Sequence, residues 1–320
     1  KHGTTPFEID LTGAFRPGES NELLVADRDW LAYSPKNRER LARGEEPIFK
    51  DNMIDVAGYP GASQIGIGGP VWLEGRPAVS VADLNIVTSF REQRLQVRIV
   101  LANAGTDAQQ AIVTPQLLDA GLPIRTLGPR QLQIPAGGTM TVTYDEPWGD
   151  AVPWWPDAPR VYVLQTDVKP ENGDADQHLQ PFGFREIWSD GISFYLNGVR
   201  QKIRSQWAGG ASGWSQAAAH WDPAKRYEAI WDWQTASIED RDHQMTRTHN
   251  LDGVSEVCEI ADETGLMIKV EEADVAQVKF TFDQEFWNNA LQHELRVIDA
   301  YENHASVVMW SAGNEDMWGW

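Results

Sequence analysis

The hydrophobic period of this chain changes partway along, and that change restricts its fold more than any other feature. In the first half, apolar residues recur at every second position. Leu95, Val97, Ile99 and Leu101 alternate with Gln96 and Arg98. Met140, Val142 and Tyr144 alternate after the turn Pro135-Ala-Gly-Gly138. Thr5 to Thr12 alternates as well, and Pro17-Gly18 with Asn21 turns into Leu23-Leu-Val25. A period of two marks strands with one buried face. A long polar loop is expected around the charge-rich Lys36 to Glu46. No helical period is sustained over roughly the first 180 residues, so this part reads as all-β.

The later part behaves differently. Pro223 to Asp240 is helix-forming. Val254, Val257, Cys258 and Ala261 fall on one helical face, and Gly265 supplies the stop. Leu266 to Val270 reads as a short strand. Thr281-x-x-Gln284 resembles a capping box, with a stripe of Trp287, Leu291, Leu295, Ile298 and Tyr301 behind it. Val307 to Trp310 is a continuous apolar run, as a parallel strand covered on both faces should be. Strand, helix, strand, helix, strand is the pattern of a parallel α/β barrel.

Charge and cysteine content narrow the function classes. A formal charge of −20 disfavours a nucleic-acid partner, which needs clustered Lys and Arg. No apolar run is long enough to span a bilayer, so no membrane partner is expected. Cys258 is the single cysteine; an internal disulfide is excluded and a buried small hydrophobe is the expected role. Fifteen tryptophans suit both a core and the apolar faces of sugars.

In a barrel of this kind the reactive groups lie at the carboxyl ends of the strands. Three such ends are readable: Arg247, Thr248 and His249; Glu271 and Glu272; and Ser311 to Glu315. Polar groups thus converge on one rim. Glu315 follows a buried strand between Trp310 and Trp318, surroundings that favour a proton held near neutral pH. A surface glutamate at a loop start is the alternative.

Val308-Met-Trp-Ser-Ala-Gly-Asn-Glu315 resembles the segment that ends the fourth barrel strand in glycoside hydrolase family 2. Other segments resemble the same family in the same order. Gly66-Ile-Gly-Gly-Pro-Val-Trp-Leu-Glu74 and His2 to Thr12 are similar to its sugar-binding sandwich. Trp154 to Pro159 resembles the close of its immunoglobulin-like domain. Phe182-Gly-Phe-Arg185 with Phe194 to Gly198 is similar to the hinge and opening hairpin of the barrel, and Ala261 to Leu266 to its second helix and third strand. The resemblance implies a multidomain β plus α/β fold. Residues 1–78 would be the later part of a jelly-roll sugar-binding β-sandwich, 79–185 an immunoglobulin-like β-sandwich, and 186–320 the first half of a TIM (β/α)8 barrel.

The same resemblance implies a glycosidase acting on an oligosaccharide or glycoside. Glu315 would be the general acid/base and Asn314 would bind the sugar 2-hydroxyl; the nucleophilic glutamate would lie on a seventh strand beyond Trp320. Both ends are therefore expected to be cut, and the fragment alone to be inactive. Family frequency favours a β-galactosidase-like substrate. Arg247 and His249 would line the pocket, although this segment is one residue shorter than the family's Arg-x-x-His. A bracing Arg–carboxylate pair and a core histidine are the alternatives. Glu271 is a site acid or a structural bridge, and Trp207 a sugar platform or core packing. His243, His249, Glu239 and Asp242 match no zinc spacing, so no catalytic metal or required cofactor is expected. A structural Mg²⁺ or Na⁺, as some relatives hold, and a homo-oligomer are compatible with the sequence. A competing reading is a carbohydrate-binding or scaffold relative without catalysis.

Overall fold

The computed structural model describes residues 8–25, 35–45, 71–207, 222–239, 242–248, 254–271 and 284–311. Among the described residues before the first strand there is one helix, α1 (Pro35–Ala42), where a polar loop was expected. The strands anticipated at Thr5 to Thr12 and Leu23 to Val25 do not form in residues 8–25, and Leu24 is 84% exposed. Alternation alone makes no strand; a partner must take the backbone hydrogen bonds. Thr5 to Phe7 of the first expectation, with Gly66 to Pro70 of the Gly66 to Glu74 segment, lie outside the described residues.

Eight strands then build a sandwich: β1 (Val79–Ser89), β2 (Arg94–Asn103), β3 (Gln109–Asp119), β4 (Leu122–Thr126), β5 (Arg130–Ile134), β6 (Thr139–Pro147), β7 (Tyr162–Pro170) and β8 (Asp176–Phe182). One antiparallel sheet runs β1-β2-β6; the other runs β4-β3-β7-β8, with β5 on β3. Leu95, Val97, Ile99 and Leu101 are all buried, and Val113, Leu117 and Leu164 meet them from the opposite sheet. Trp148 fills one end, its ring 4.9 Å from Tyr162 and 5.3 Å from Phe184. The free edge of β1 is covered by side chains from afar. Asp176 accepts the Val81 N–H at 2.8 Å, while Asn303 accepts from Ile86 N–H at 2.9 Å and donates to Leu84 O at 2.7 Å. Such covering denies the edge to other chains.

A small antiparallel sheet follows: β9 (Ile187–Asp190), β10 (Ser193–Leu196) and β11 (Val199–Gln201). Asn197 and Gly198, with φ of 46° and 82°, make the two-residue turn between β10 and β11.

The chain then alternates: β12 (Ser205–Trp207), α2 (Pro223–Glu239), β13 (Met245–Arg247), α3 (Val254–Thr264), β14 (Met267–Glu271), α4 (Gln284–Tyr301) and β15 (Val307–Ser311). The four strands are parallel in the order β12-β13-β14-β15, an arc of a parallel barrel. One face packs on the helices through Val257, Ala261, Ile268, Val270, Val297 and Val307. Along the other face Met245, Met267 and Val308 meet Trp154 and Leu196. Cys258 is buried as expected. The expected α4 stripe is buried only toward its end: Tyr301 is buried and Ile298 half-buried, with Val297 beside them, whereas Leu291 and Leu295 are exposed. Trp310 is also 41% exposed, so β15 is not covered on both faces to its end.

Sandwich and barrel arc interlock. Trp154 Nε1 donates to Asp262 O at 2.9 Å. Arg185 donates to the carbonyls of Ala305, His304 and Val307 at 3.0, 3.2 and 2.5 Å. Among the described residues no helix is long and apolar enough to cross a membrane.

Candidate functional site

Parallel pairing sets the layers of the strand tips. Trp207 is in register with Arg247, Arg247 with Lys269, and Lys269 with Met309; above them Glu271 pairs with Ser311. Because Ile268 and Val270 face the helices, Lys269 and Glu271 share the opposite face with Met267. That face is the barrel lumen. Its lower layer is apolar, Met245 beside Met267, and its upper layers are polar and charged.

Glu271 is fully buried, and its Oε2 lies 3.2 Å from Arg247 Nε. The two residues, each left open as a site member or a structural partner, thus pair with each other. Burial of a carboxylate demands such a partner, since desolvation penalises the charge heavily. The guanidinium remains about a third exposed, so Arg247 also fronts the rim.

Thr248 extends the ladder one step past β13. Its N–H donates to Lys269 O at 3.0 Å, and its hydroxyl accepts the Glu271 N–H at 3.1 Å. A buried hydroxyl thus takes the place of a strand carbonyl and fixes the backbone from which the Glu271 carboxylate projects. The sequence offered Thr248 only as a member of a strand end; its bonding role has no sequence signal. Lys269 was readable: it is the one charge between Met267 and Glu271, and a period of two puts it on their face.

Of the other expected residues, Trp207 ends β12, its side chain outside the described residues. His249, Asn314 and Glu315 also lie outside them, as do Trp318 and Glu272. Arg247 and Glu271 are the two expected site residues whose side chains the structure brings together. Among the described residues no three His, Cys, Asp or Glu side chains gather to hold a metal ion. Asp242 instead pairs with Arg204 at 2.6 Å.

Comparisons with known proteins place this arrangement. Residues 79–185 match the family described as glycosyl hydrolases family 2, and residues 247–320 match its TIM barrel domain. The β-glucuronidase of Sus scrofa is 25% identical over 339 residues, covering 98% of this chain and 47% of that protein. A Bacteroides uniformis β-glucuronidase structure superposes with a TM-score of 0.58 at 19% identity, covering 73% of this chain and 28% of that one. A β-galacturonidase from Eisenbergiella tayi bound to galacturonate gives a TM-score of 0.58 at 17% identity, with 73% and 40% covered. At such identity the structural likeness speaks for the fold. The chain spans about half or less of the length of the curated relatives it matches.

Proposed function

Because this chain belongs to glycosyl hydrolases family 2, we propose that the intact protein is a retaining, exo-acting glycosidase that releases a terminal β-linked sugar. The main support is the meeting of Arg247, Glu271 and Ser311 at the carboxyl ends of adjacent parallel strands, within the stretch matched to the family's barrel.

In this reading Glu315 gives its proton to the departing glycosidic oxygen and later takes one from the attacking water. Asn314 holds the sugar 2-hydroxyl, His249 lines the rim, and Trp207 offers an aromatic face. Retention needs a second carboxylate about 5–5.5 Å from the acid, which attacks the anomeric carbon. Glu271 is ill suited to that attack, because it is wholly buried and held by Arg247. The resemblance assigns it to a glutamate on a later strand. Glu271 serves instead to keep Arg247 in place.

The leaning toward a β-galactoside finds no support among the relatives, which are named β-glucuronidases. A β-linked uronide is the substrate to try first. Arg247 could clamp a uronate, yet its charge is already met by Glu271.

The test compares the intact protein with its Glu315→Gln variant on 4-nitrophenyl and alkyl β-glycosides. The reading expects kcat to fall about 10²–10⁴-fold with poor leaving groups and much less with nitrophenol, which leaves without a proton. Equal turnover by both proteins on the alkyl glycosides would remove Glu315 from the role. Binding without turnover by the intact protein would favour the non-catalytic relative.

A further inference from the structure

An Asn-Gly pair is where a backbone most easily attacks its own side chain, because glycine has no Cβ to hinder the approach and turns freely. The sequence holds two such pairs, Asn172-Gly173 and Asn197-Gly198. The fold treats them oppositely. Asn197 sits in the β10–β11 turn and is only 2% exposed. Its Oδ1 accepts the Glu186 N–H at 2.8 Å and its Nδ2 donates to Trp154 O at 2.9 Å, so the side-chain amide is tied at both ends. Asn172 lies between β7, which ends at Pro170, and β8, which starts at Asp176, and residues 171–175 are all exposed. Gly173 has a φ of +103°, and a Cβ built on it would meet nothing within 4 Å, so the space beside it is open.

We infer that Asn172 is a self-modification site, converted by water to a mixture of aspartate and isoaspartate, while the fold shields Asn197 from the same reaction. The Gly173 nitrogen, its proton taken by hydroxide, attacks the side-chain carbonyl carbon of Asn172. A C–N bond forms there, the bond to the side-chain nitrogen breaks, and that nitrogen takes a proton from water and leaves as ammonia. Water then opens the resulting five-membered imide at one of its two carbonyls. Opening at the side-chain carbonyl gives aspartate. Opening at the main-chain carbonyl gives isoaspartate, whose backbone runs through the β-carbon. Either product adds a negative charge to a turn that already carries Glu171 and Asp174. Isoaspartate also lengthens the chain just ahead of Asp176, whose carboxylate accepts the Val81 N–H at the β1 edge. The inference is independent of the glycosidase reading.

The experiment incubates the intact protein in mildly alkaline water enriched in heavy oxygen, folded or in guanidinium chloride. Peptide mapping by mass spectrometry follows both Asn-Gly pairs, and labelling by an isoaspartyl methyltransferase counts isoaspartate. Uptake of heavy oxygen marks conversion that occurred during the incubation. In the folded protein Asn172 is expected to react roughly tenfold or more faster than Asn197, which must first break both of its hydrogen bonds. In guanidinium chloride the two pairs are expected to react at similar rates. Asn172→Gln, whose attack would need a slower six-membered ring, is expected to lose the isoaspartate signal of the folded protein. Equal rates at the two pairs in the folded protein overturn the inference, as does a folded Asn172 that reacts only once denaturant is added. A difference that persists in denaturant assigns the protection of Asn197 to its sequence neighbours and overturns the part given to the fold.

Discussion

At the scale of single residues, the rim is governed by a hydroxyl that touches no solvent. Thr248 is fully buried, and its oxygen is the acceptor for the Glu271 N–H. Thr248→Val preserves the volume and orphans that N–H, so stability should fall by about 1–3 kcal/mol. Thr248→Ser keeps the acceptor and should recover most of the loss; urea denaturation of the two variants checks both. Equal losses would mean that the methyl, not the hydroxyl, matters. Legibility stops at this scale for a definite reason. Residue types near strand ends identified Arg247 and Glu271 as site members, but left open whether they face a ligand or each other. The answer depends on a cross-strand register that places Glu271 two residues beyond the position opposite Arg247. No local pattern contains that offset. For Glu315 and Asn314 the sequence resemblance remains the whole argument.

Elements were legible where neighbours in sequence are also neighbours in space. β2 alternated in the sequence and alternates in burial, and α2, α3 and β14 lie within a residue or a few of their expected bounds. The α4 stripe held only toward its end, because amphipathic spacing gives a face but not how much of its length finds a partner; Val297 and Tyr301 pack in the core that includes α3, while Leu291 and Leu295 stay exposed. Gly265 shows how a local stop signal can also be a long-range one. Its φ of +86° ends α3 as the sequence suggested. A Cβ there would also lie 1.9 Å from the Pro156 carbonyl oxygen, in the loop that closes the sandwich. Gly265→Ala must therefore bear backbone strain of roughly 1–3 kcal/mol and also push the two domains apart. Limited proteolysis should cut the variant near Trp154 to Pro159 well before the wild type. Identical digestion patterns would show that the loop yields without loosening the junction.

The whole molecule connects that junction to the rim, because the two strands whose tips carry Glu271 and Ser311 are gripped at their opposite ends. Arg185 binds the carbonyls entering β15, Trp154 binds the carbonyl of Asp262, and Asn303 is tied to β1. Within this grip the Asp262 carboxylate accepts the Ser306 N–H at 2.7 Å and meets His304 Nδ1, also at 2.7 Å. Glu259, Tyr301, Cys258 and Arg185 are the other ionisable groups around the pair. Burial pushes the His304 imidazole down, but the Asp262 hydrogen bond and the charges of Asp262 and Glu259 outweigh it, leaving a net upward shift from 6.5. A histidine held above its unfolded value adds stability that is complete below that value and disappears as pH rises through the folded one. The junction should therefore be tightest on the acid side of about pH 6.5 and loosen progressively above it. Melting temperatures measured from pH 5.5 to 8.5 should decline through this window in the wild type, beyond the decline in His304→Gln. The glutamine can still donate to Asp262 but carries no proton to lose. Parallel curves for the two proteins would show that His304 keeps one protonation state throughout, and the grip would then owe its strength to Arg185 and Trp154.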